Sequence, residues 1–164
     1  MLIGILSDTH DRLDRTQIAV EMLRAEGAKA LLHCGDLTGP PIVAVCGVLP
    51  AYFVFGNNDS DNIPALQQAI EKVGGVCLDW GGEVTLASKR IALAHGHMHT
   101  DVRRLLAARP DYLFSGHSHT ASDGRFGPTR RINPGALHRA AEYTVALLDL
   151  ETDDLQFLTV PRGP

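Results

Sequence analysis

Short apolar segments alternate with amphipathic ones in the first half of the chain, and this alternation predicts strands and helices in turn. The predicted strands cover residues 2–6, 30–34 and 51–55. The predicted helices cover residues 14–27, 40–49 and 63–73. Asp14 followed by Gln17 is typical of a helix start, and Gly27 stands where a helix commonly ends. The order strand, helix, strand indicates parallel strands joined by helical crossovers.

The second half of the chain has more strands and fewer helices. The predicted strands cover residues 84–86, 90–94, 112–115, 131–133, 143–150 and 155–160, and the predicted helix covers 101–108. The segment 122–129 contains Gly and Pro and is expected to be a loop. A parallel half followed by a more antiparallel half predicts an α/β fold, in which two mixed β-sheets pack as a sandwich flanked by helices. Because no repeat or linker interrupts the pattern, we expect a single domain over residues 1–164.

Composition and charge exclude several classes of protein. Hydrophobic residues make up 45% and charged residues 21% of the chain, values typical of a soluble globular protein. The net charge of −4 argues against a nucleic-acid partner. The longest apolar stretch, residues 42–55, is interrupted by Gly47 and Pro50 and is shorter than the roughly 20 residues of a membrane span. The N-terminal segment has no basic region and is interpreted as a strand rather than a signal peptide.

The three cysteines indicate the compartment. They lie inside apolar runs and form no C-x-x-C motif, which is typical of buried free thiols in a reducing environment. We therefore expect a cytoplasmic protein without a membrane partner. The acidic balance is compatible with a homodimer and does not require one.

Candidate metal ligands follow five of the apolar segments at the point where each segment ends. They are Asp8, His10, Asp36, Asn57, His95, His117 and His119. Strand ends form the ligand crevice of an open α/β sheet, so one pocket explains all seven residues. The pairs Asp8/His10 and His117/His119 are spaced i, i+2, which places both side chains of a pair on the same side of an extended segment.

The chemistry of these donors predicts two divalent ions. No thiolate is present among them, which argues against a structural zinc site, and a mixture of carboxylate, amide and imidazole suits first-row divalent metals. Seven donors exceed the needs of one such ion, whereas two ions that share a bridging carboxylate accommodate them. Two divalent ions held by only two carboxylates leave a positive site that favours a phosphate ester. Such a pair can generate a bridging hydroxide that attacks phosphorus without a side-chain base.

The order of these residues resembles a known family. The motifs are Asp8-x-His10, Gly35-Asp36, Gly56-Asn57, His95, Gly116-His117-x-His119 and Asn133-Pro134-Gly135. They are similar to those of the calcineurin-like metallophosphoesterases, and the short chain resembles the small bacterial and archaeal phosphodiesterase branch. The resemblance implies a fold of two mixed sheets flanked by helices. It also implies that Asp8, His10 and His119 bind one metal, that Asn57, His95 and His117 bind the other, and that Asp36 bridges them.

The sequence departs from the family at the position after Asn57. Many members have a histidine there that contacts the phosphate and protonates the leaving group, whereas this chain has Asn58. An amide donates a hydrogen bond but cannot act as a general acid, so diesters with a good leaving group should be favoured. His97 is a candidate for replacing that acid, the alternative being a solvated loop residue. A second departure is Ala136, where serine is common, with no effect that the sequence defines.

Further residues have two interpretations. Asn133 is expected to shape the floor of the substrate pocket, the alternative being a turn residue before Pro134. Arg130, Arg131 and Arg139 could form a phosphate-facing patch, although exposed arginines are more often ordinary surface residues. Asn57 could serve in a turn instead of as a ligand. The candidate catalytic and substrate-binding residues are therefore Asn58 and His97, with Asn133 as a further substrate-binding residue.

Three functions are consistent with this pattern. The expected function is a dinuclear metal-dependent phosphoesterase, in particular a phosphodiesterase acting on a small phosphoester, with manganese as the expected ion and iron, zinc or nickel as alternatives. A phosphomonoesterase acting on a nucleotide or small metabolite is the second. The third is a non-catalytic interaction scaffold resembling the small retromer subunit. A scaffold is expected to have lost a histidine ligand, and here all seven positions are filled.

Overall fold

The computed structural model describes residues 1–162 and contains two β-sheets. The first sheet has six strands, β1 (Leu2–Leu6), β2 (Leu31–His33), β3 (Ala51–Phe53), β4 (Val76–Cys77), β10 (Thr144–Asp149) and β11 (Leu155–Thr159). Their order is β11-β10-β1-β2-β3-β4. The strands β1 to β4 are parallel, whereas β10 is antiparallel to both β1 and β11. The last two strands of the chain therefore return to the first sheet.

The second sheet has five strands, β5 (Gly81–Leu86), β6 (Lys89–Ala94), β7 (Tyr112–Phe114), β8 (Ser122–Phe126) and β9 (Thr129–Asn133). Their order is β5-β6-β7-β9-β8. The centre of this sheet is parallel, and a hairpin closes it at each edge. The α/β fold with two mixed sheets is thus confirmed.

Alternation of side chains along the strands builds two layers of core on the first sheet. Ile3 and Ile5 of β1 point to one face and pack with residues of the second sheet such as Phe114. The other face is covered by α1 (Leu13–Ala25), α2 (Pro40–Cys46) and α3 (Ile63–Lys72), whose buried residues pack with Phe53. The two sheets therefore form a sandwich with helices on the outside.

A single helix covers the outer face of the second sheet. In α4 (His99–Ala107), Val102 and Leu105 pack on Ala92 and Leu113. This helix leaves the β8 side of the same face uncovered. None of the helices within residues 1–162 is long and apolar enough to cross a membrane.

Two strands were missed by the sequence pattern. The segment expected to be a loop over 122–129 forms β8, which pairs in register with β9. All five residues of β8 are exposed, so the strand has no apolar alternation for a pattern to detect. The two-residue β4 is too short to give a period. Helix α1 begins at Leu13, with Asp14 in its first turn rather than as its cap.

Candidate metal centre

The candidate ligands lie on loops that leave parallel strands at one edge of the sandwich. Asp8 and His10 follow β1, Asp36 follows β2, His95 follows β6, and His117 and His119 follow β7. Five of them have left-handed backbones, with φ of 54° at Asp8, 43° at His10, 58° at Asp36, 69° at His117 and 57° at His119. Such φ values are strained for non-glycine residues and cluster at functional sites. The loops are therefore shaped for the side chains that they carry.

Asp8, His10 and His119 form the first group of donors. One donor atom from each lies within 4.8 Å of the others. The Nε2 of His119 is 3.2 Å from Oδ1 of Asp8, which is fully buried. The other carboxylate oxygen of Asp8 accepts the backbone N–H of His117 at 3.0 Å. Asp8 thus connects the first and the last of the ligand loops.

Asp36, His95 and again Asp8 form the second group, also within 4.8 Å. The Nε2 of His95 lies 3.4 Å from Oδ2 of Asp36 and 3.9 Å from Oδ1 of Asp8. The same Asp36 oxygen lies 3.3 Å from Nε2 of His10, which belongs to the first group. The ring of His117 is 5.1 Å from that of His95. Asp36 Oδ2 therefore stands between the two groups.

Hydrogen bonds from outside the centre orient two of the imidazoles. Nδ1 of His95 lies 2.8 Å from the carbonyl oxygen of Cys34, and Nδ1 of His119 lies 3.3 Å from that of Arg139. Because a carbonyl only accepts, the proton of each neutral ring resides on Nδ1. The lone pair of Nε2 then points to the carboxylates, as in metal sites whose histidines are oriented by backbone carbonyls.

The polar atoms at the centre fit divalent cations. Asp8 Oδ1, His10 Nε2 and His95 Nε2 are buried and have no hydrogen-bond partner within residues 1–162. Unpaired buried polar atoms are costly and rare, and these three belong to the two groups of donors, which are suited to binding cations. Burial alone would raise the pKa of Asp36, but the neighbouring His10 and His95 outweigh it and hold that pKa well below its usual range. An ionised carboxylate is the form that binds a metal.

Glycines allow the carboxylates to reach this position. A Cβ atom on Gly116 would overlap Ser7 Oγ and Asp8 Oδ2, and one on Gly56 would overlap Asp36 Oδ1. The glycines of the motifs Gly116-His117 and Gly56-Asn57 are thus required by close approach to the two carboxylates.

Asp59 is a buried residue that the sequence reasoning missed. Its carboxylate accepts the backbone N–H groups of Asp36 at 2.9 Å, Thr38 at 2.7 Å and Gly56 at 2.7 Å. Burial raises the pKa of Asp59, while the hydrogen bonds from Gly56 and Thr38 oppose that rise. The side chain joins the loop after β2 to the loop after β3. The only sequence feature that pointed to a role for Asp59 was its position directly after the motif Gly56-Asn57-Asn58.

Asn57 and Asn58 lie side by side on the loop after β3, and both are exposed. Asn58 donates its backbone N–H to Asp36 Oδ1 at 2.9 Å and its amide Nδ2 to Asp36 Oδ2 at 2.7 Å. The side chain of Asn57 forms no hydrogen bond to the rest of the chain over residues 1–162. The structure therefore brings Asn58 onto the shared carboxylate and leaves the amide of Asn57 available.

His97 belongs to the same cluster of rings. Its ring centroid is 5.4 Å from His95, 6.1 Å from His117 and 5.9 Å from Trp80. Partial burial and then the neighbouring His95 and His117 lower the pKa of His97, which favours the neutral ring. The ring of His97 therefore lies beside those of the candidate ligands His95 and His117 rather than on a distant part of the loop.

Asn133 holds the loop that carries His117. Its amide Nδ2 donates to the carbonyl of Gly116 at 2.9 Å and to Ser118 Oγ at 3.0 Å, and its Oδ1 accepts the N–H of Gly135 at 2.9 Å. The residue is buried and lines a cleft next to His117. Both amide protons are used within the protein, so its contacts position the loop.

His33 holds the loop that carries Asp36 through hydrogen bonds. Its Nδ1 accepts the N–H of Gly35 at 3.2 Å, so the proton of the neutral ring is on Nε2, which lies 3.1 Å from Thr9 Oγ1. Thr9 in turn donates to the carbonyl of Asp36 at 3.2 Å. Burial, and then the neighbouring His95, lower the pKa of His33 to about 3.

Comparison with known proteins agrees with this geometry. Residues 1–153 match the model of the calcineurin-like phosphoesterase superfamily domain. A phosphodiesterase of Methanocaldococcus jannaschii is 26% identical over 156 residues, which cover 92% of this chain and 94% of that protein. A probable metallophosphoesterase of Methanothermobacter thermautotrophicus is 28% identical over 173 residues, with 99% and 94% covered.

Solved structures show the same fold. An archaeal phosphodiesterase superposes with a TM-score of 0.88 at 24% identity, over 97% of this chain and 99% of that one. Vps29 of Entamoeba histolytica, solved in complex with zinc, has a TM-score of 0.59 at 17% identity, over 97% and 91%. The structures show the fold, and the family match, which spans most of the chain, shows the family. The chain belongs to the calcineurin-like phosphoesterase superfamily and is a metal-dependent hydrolase of phosphoric esters.

Proposed function

We propose that the protein is a phosphodiesterase that uses two divalent ions held by the seven candidate ligands. The observation that carries this proposal is the position of Asp36 Oδ2, 3.3 Å from Nε2 of His10 and 3.4 Å from Nε2 of His95. One carboxylate oxygen between two imidazoles is suited to bridging two ions. Asp8, His10 and His119 would hold the first ion, and Asn57, His95 and His117 would hold the second.

When bound, two such ions lower the pKa of a water molecule to near neutrality and offset the charge of the phosphate. Manganese is the ion that we propose, because carboxylate, amide and imidazole ligands suit it. The chain itself supplies the orientation. The carbonyls of Cys34 and Arg139 fix His95 and His119, and Asp59 fixes the loop of Asp36.

The chain also supplies donors for the phosphate. The amide of Asn58 donates one proton to Asp36. Its second amide proton remains available for a phosphate oxygen. His97, beside His95 and His117, can donate one ring N–H to another oxygen. Asn133 would act through the loop of His117. The proposed role of these groups is to hold the phosphate in line with the attacking water.

Asn58 also favours esters with a good leaving group over alkyl esters. An amide cannot protonate a leaving group, and general acid catalysis is typically worth about 10²–10⁴-fold. Substrates whose leaving group is already stable as an anion need no such proton. The relative from Methanocaldococcus jannaschii, which is named as a phosphodiesterase, supports a diester as the substrate class.

Hydrolysis of bis(p-nitrophenyl) phosphate and of p-nitrophenyl phosphate tests the proposal. Protein stripped of metal with a chelator is assayed before and after Mn²⁺ is added. We expect hydrolysis of the diester that requires Mn²⁺, is faster than that of the monoester, and is lost in Asp36→Asn. Asp14→Asn, at an exposed position of α1, is the matched control and should retain the rate.

The contrary outcomes separate the alternatives. Faster hydrolysis of the monoester would support a phosphomonoesterase. Turnover of neither ester, with metal bound, would support the scaffold, because a protein can bind metal without catalysing hydrolysis. Metal content therefore has to be measured together with turnover.

A further inference from the structure

A cleft on the outer face of the second sheet opens next to the candidate metal centre. Its volume is ≈ 430 Å³, within the range of small-molecule sites. It begins at His117 and Ser118 and runs along β8 and β9 to Phe126. We call it the β8 cleft. Helix α4 covers only the β6 and β7 part of this face, so the cleft is open on the β8 side.

Arg131 lies on the outer face of β9 and lines the cleft. It pairs in register with Leu113, whose side chain packs under α4 on the same face. Over residues 1–162 the Arg131 side chain has no hydrogen bond and no ion pair. Its neighbour Arg130 differs, because it binds Asp123 at 2.8 Å and Asp153 at 2.7 Å. The charge of Asp123 is thus already compensated, and the guanidinium of Arg131 is available.

The floor of the cleft beside Arg131 is open. Gly124 of β8 is directly opposite Arg131, and a Cβ atom placed on it would have no heavy atom within 4 Å. Phe126, two residues further along β8, is on the same face, lines the cleft and is 63% exposed. Phe126 therefore offers an apolar surface to a ligand at the end of the cleft away from His117.

Arg131 lies on the same strand as the residue that holds the loop of His117. Arg131 is two residues from Asn133 on β9, so their Cα atoms are about 7 Å apart. Asn133 in turn donates to the carbonyl of Gly116, beside His117. His117 and Arg131 line the same cleft, so a ligand that extends from His117 along β9 reaches Arg131.

We propose that the β8 cleft binds the part of a phosphodiester beyond the scissile phosphate, with Arg131 binding a second anionic group and Phe126 packing against a planar ring. This inference rests on the proposed function and narrows its substrate to a small diester that carries a planar ring and a second anionic group. A single aromatic residue is enough for one ring and does not form a track for a long strand.

Calorimetry on the Mn²⁺-loaded protein tests the inference without turnover. The probes are thymidine 3′,5′-bisphosphate and thymidine 5′-monophosphate. Since charge-assisted contacts to phosphate are strong, we expect the bisphosphate to bind roughly 10–100-fold more tightly. Arg131→Ala should remove most of this ratio, and Arg131→Lys should retain part of it because the charge is kept.

Two further variants distinguish binding in the β8 cleft from a general effect of the protein's charge. Gly124→Val fills the floor while leaving Arg131 in place, and it should weaken the bisphosphate more than the monophosphate. Arg24→Ala removes an exposed arginine from α1, on the other side of the sandwich, and should leave the ratio as it is. Melting temperatures near that of the wild type would show that each variant is folded.

The outcomes distinguish this inference from the proposed function. If Arg131→Ala keeps the full preference for the bisphosphate, or if the wild type has no preference, the β8 cleft is not an anion subsite. If instead bis(p-nitrophenyl) phosphate is not hydrolysed with any divalent ion, the proposed function fails, whatever the calorimetric ratio. Hydrolysis together with an Arg131-dependent ratio supports both.

Discussion

Acid should destabilise this protein through His33, a buried imidazole with a defined tautomer. The ring accepts a hydrogen bond from the N–H of Gly35 through Nδ1, and a proton on that atom would remove the bond. Burial, followed by the nearby His95, lowers the pKa of His33 from 6.5 to about 3. The folded state therefore favours the neutral ring. Its contribution to stability is complete above the unfolded pKa of 6.5 and is lost as the pH falls from 6.5 towards 3.

The magnitude follows from the shift. Each pKa unit corresponds to about 1.36 kcal/mol, so the full difference is on the order of 4–5 kcal/mol. Between pH 7 and pH 5 only the first part is lost, about 2 kcal/mol. That loss is a large fraction of the total stability of a typical domain, about 5–15 kcal/mol.

Urea unfolding of the metal-free protein at pH 7 and pH 5 measures this effect. His33→Gln keeps a donor near Thr9 Oγ1 but removes the acceptor for Gly35, which should cost about 1–3 kcal/mol at pH 7. At pH 5 the wild type should lose about 2 kcal/mol more than the variant, since the variant has no ring to protonate. His99→Gln, at an exposed position of α4, is the control.

The test compares the free energy of unfolding of the wild type with that of His33→Gln, because the two proteins share all other titrating groups. If that difference is the same at pH 7 and pH 5, His33 does not have a strongly lowered pKa. If His99→Gln shows the same pH dependence as His33→Gln, the effect is general and not a property of the buried ring.

Three substitutions around the metal centre have defined outcomes. Asn58→His should raise the rate on diesters with alkyl leaving groups, by up to about 10²–10⁴-fold, and an unchanged rate would show that leaving-group protonation is not limiting. Gly116→Ala should displace Asp8 and weaken Mn²⁺ binding about 10–100-fold by calorimetry, the range for supporting residues, whereas wild-type affinity would contradict the close approach. Asp59→Asn cannot accept all three backbone hydrogen bonds and should lower the free energy of unfolding by about 1–3 kcal/mol, and an equal urea midpoint would refute this.

Most of the elements, and the strand ends at which the candidate ligands lie, could be predicted because their signals are local. Each ligand follows a buried strand, and a short apolar run that ends in Asp or His is visible without any partner. The need for a local signal also explains why strand β8 was not predicted. Strand β8 is exposed along its whole length and is defined only by pairing with β9, which no local pattern contains.

The supporting residues of the site depend on distant contacts and were missed or understood in part. The carboxylate of Asp59 has its role because N–H groups from two different loops converge on it. Asn133 was expected at the pocket floor, but its bonds to Gly116 and Ser118 could not be read from its position before Pro134. Contacts between residues far apart in sequence need the fold before they can be seen.

The most direct test of the central proposal is an anomalous difference map from crystals grown with Mn²⁺. We expect two peaks about 3.5–4 Å apart, both within coordination distance of Asp36. Asp8, His10 and His119 should surround one peak, and Asn57, His95 and His117 the other. A single peak, or two peaks that do not share Asp36, would contradict a dinuclear centre bridged by that carboxylate.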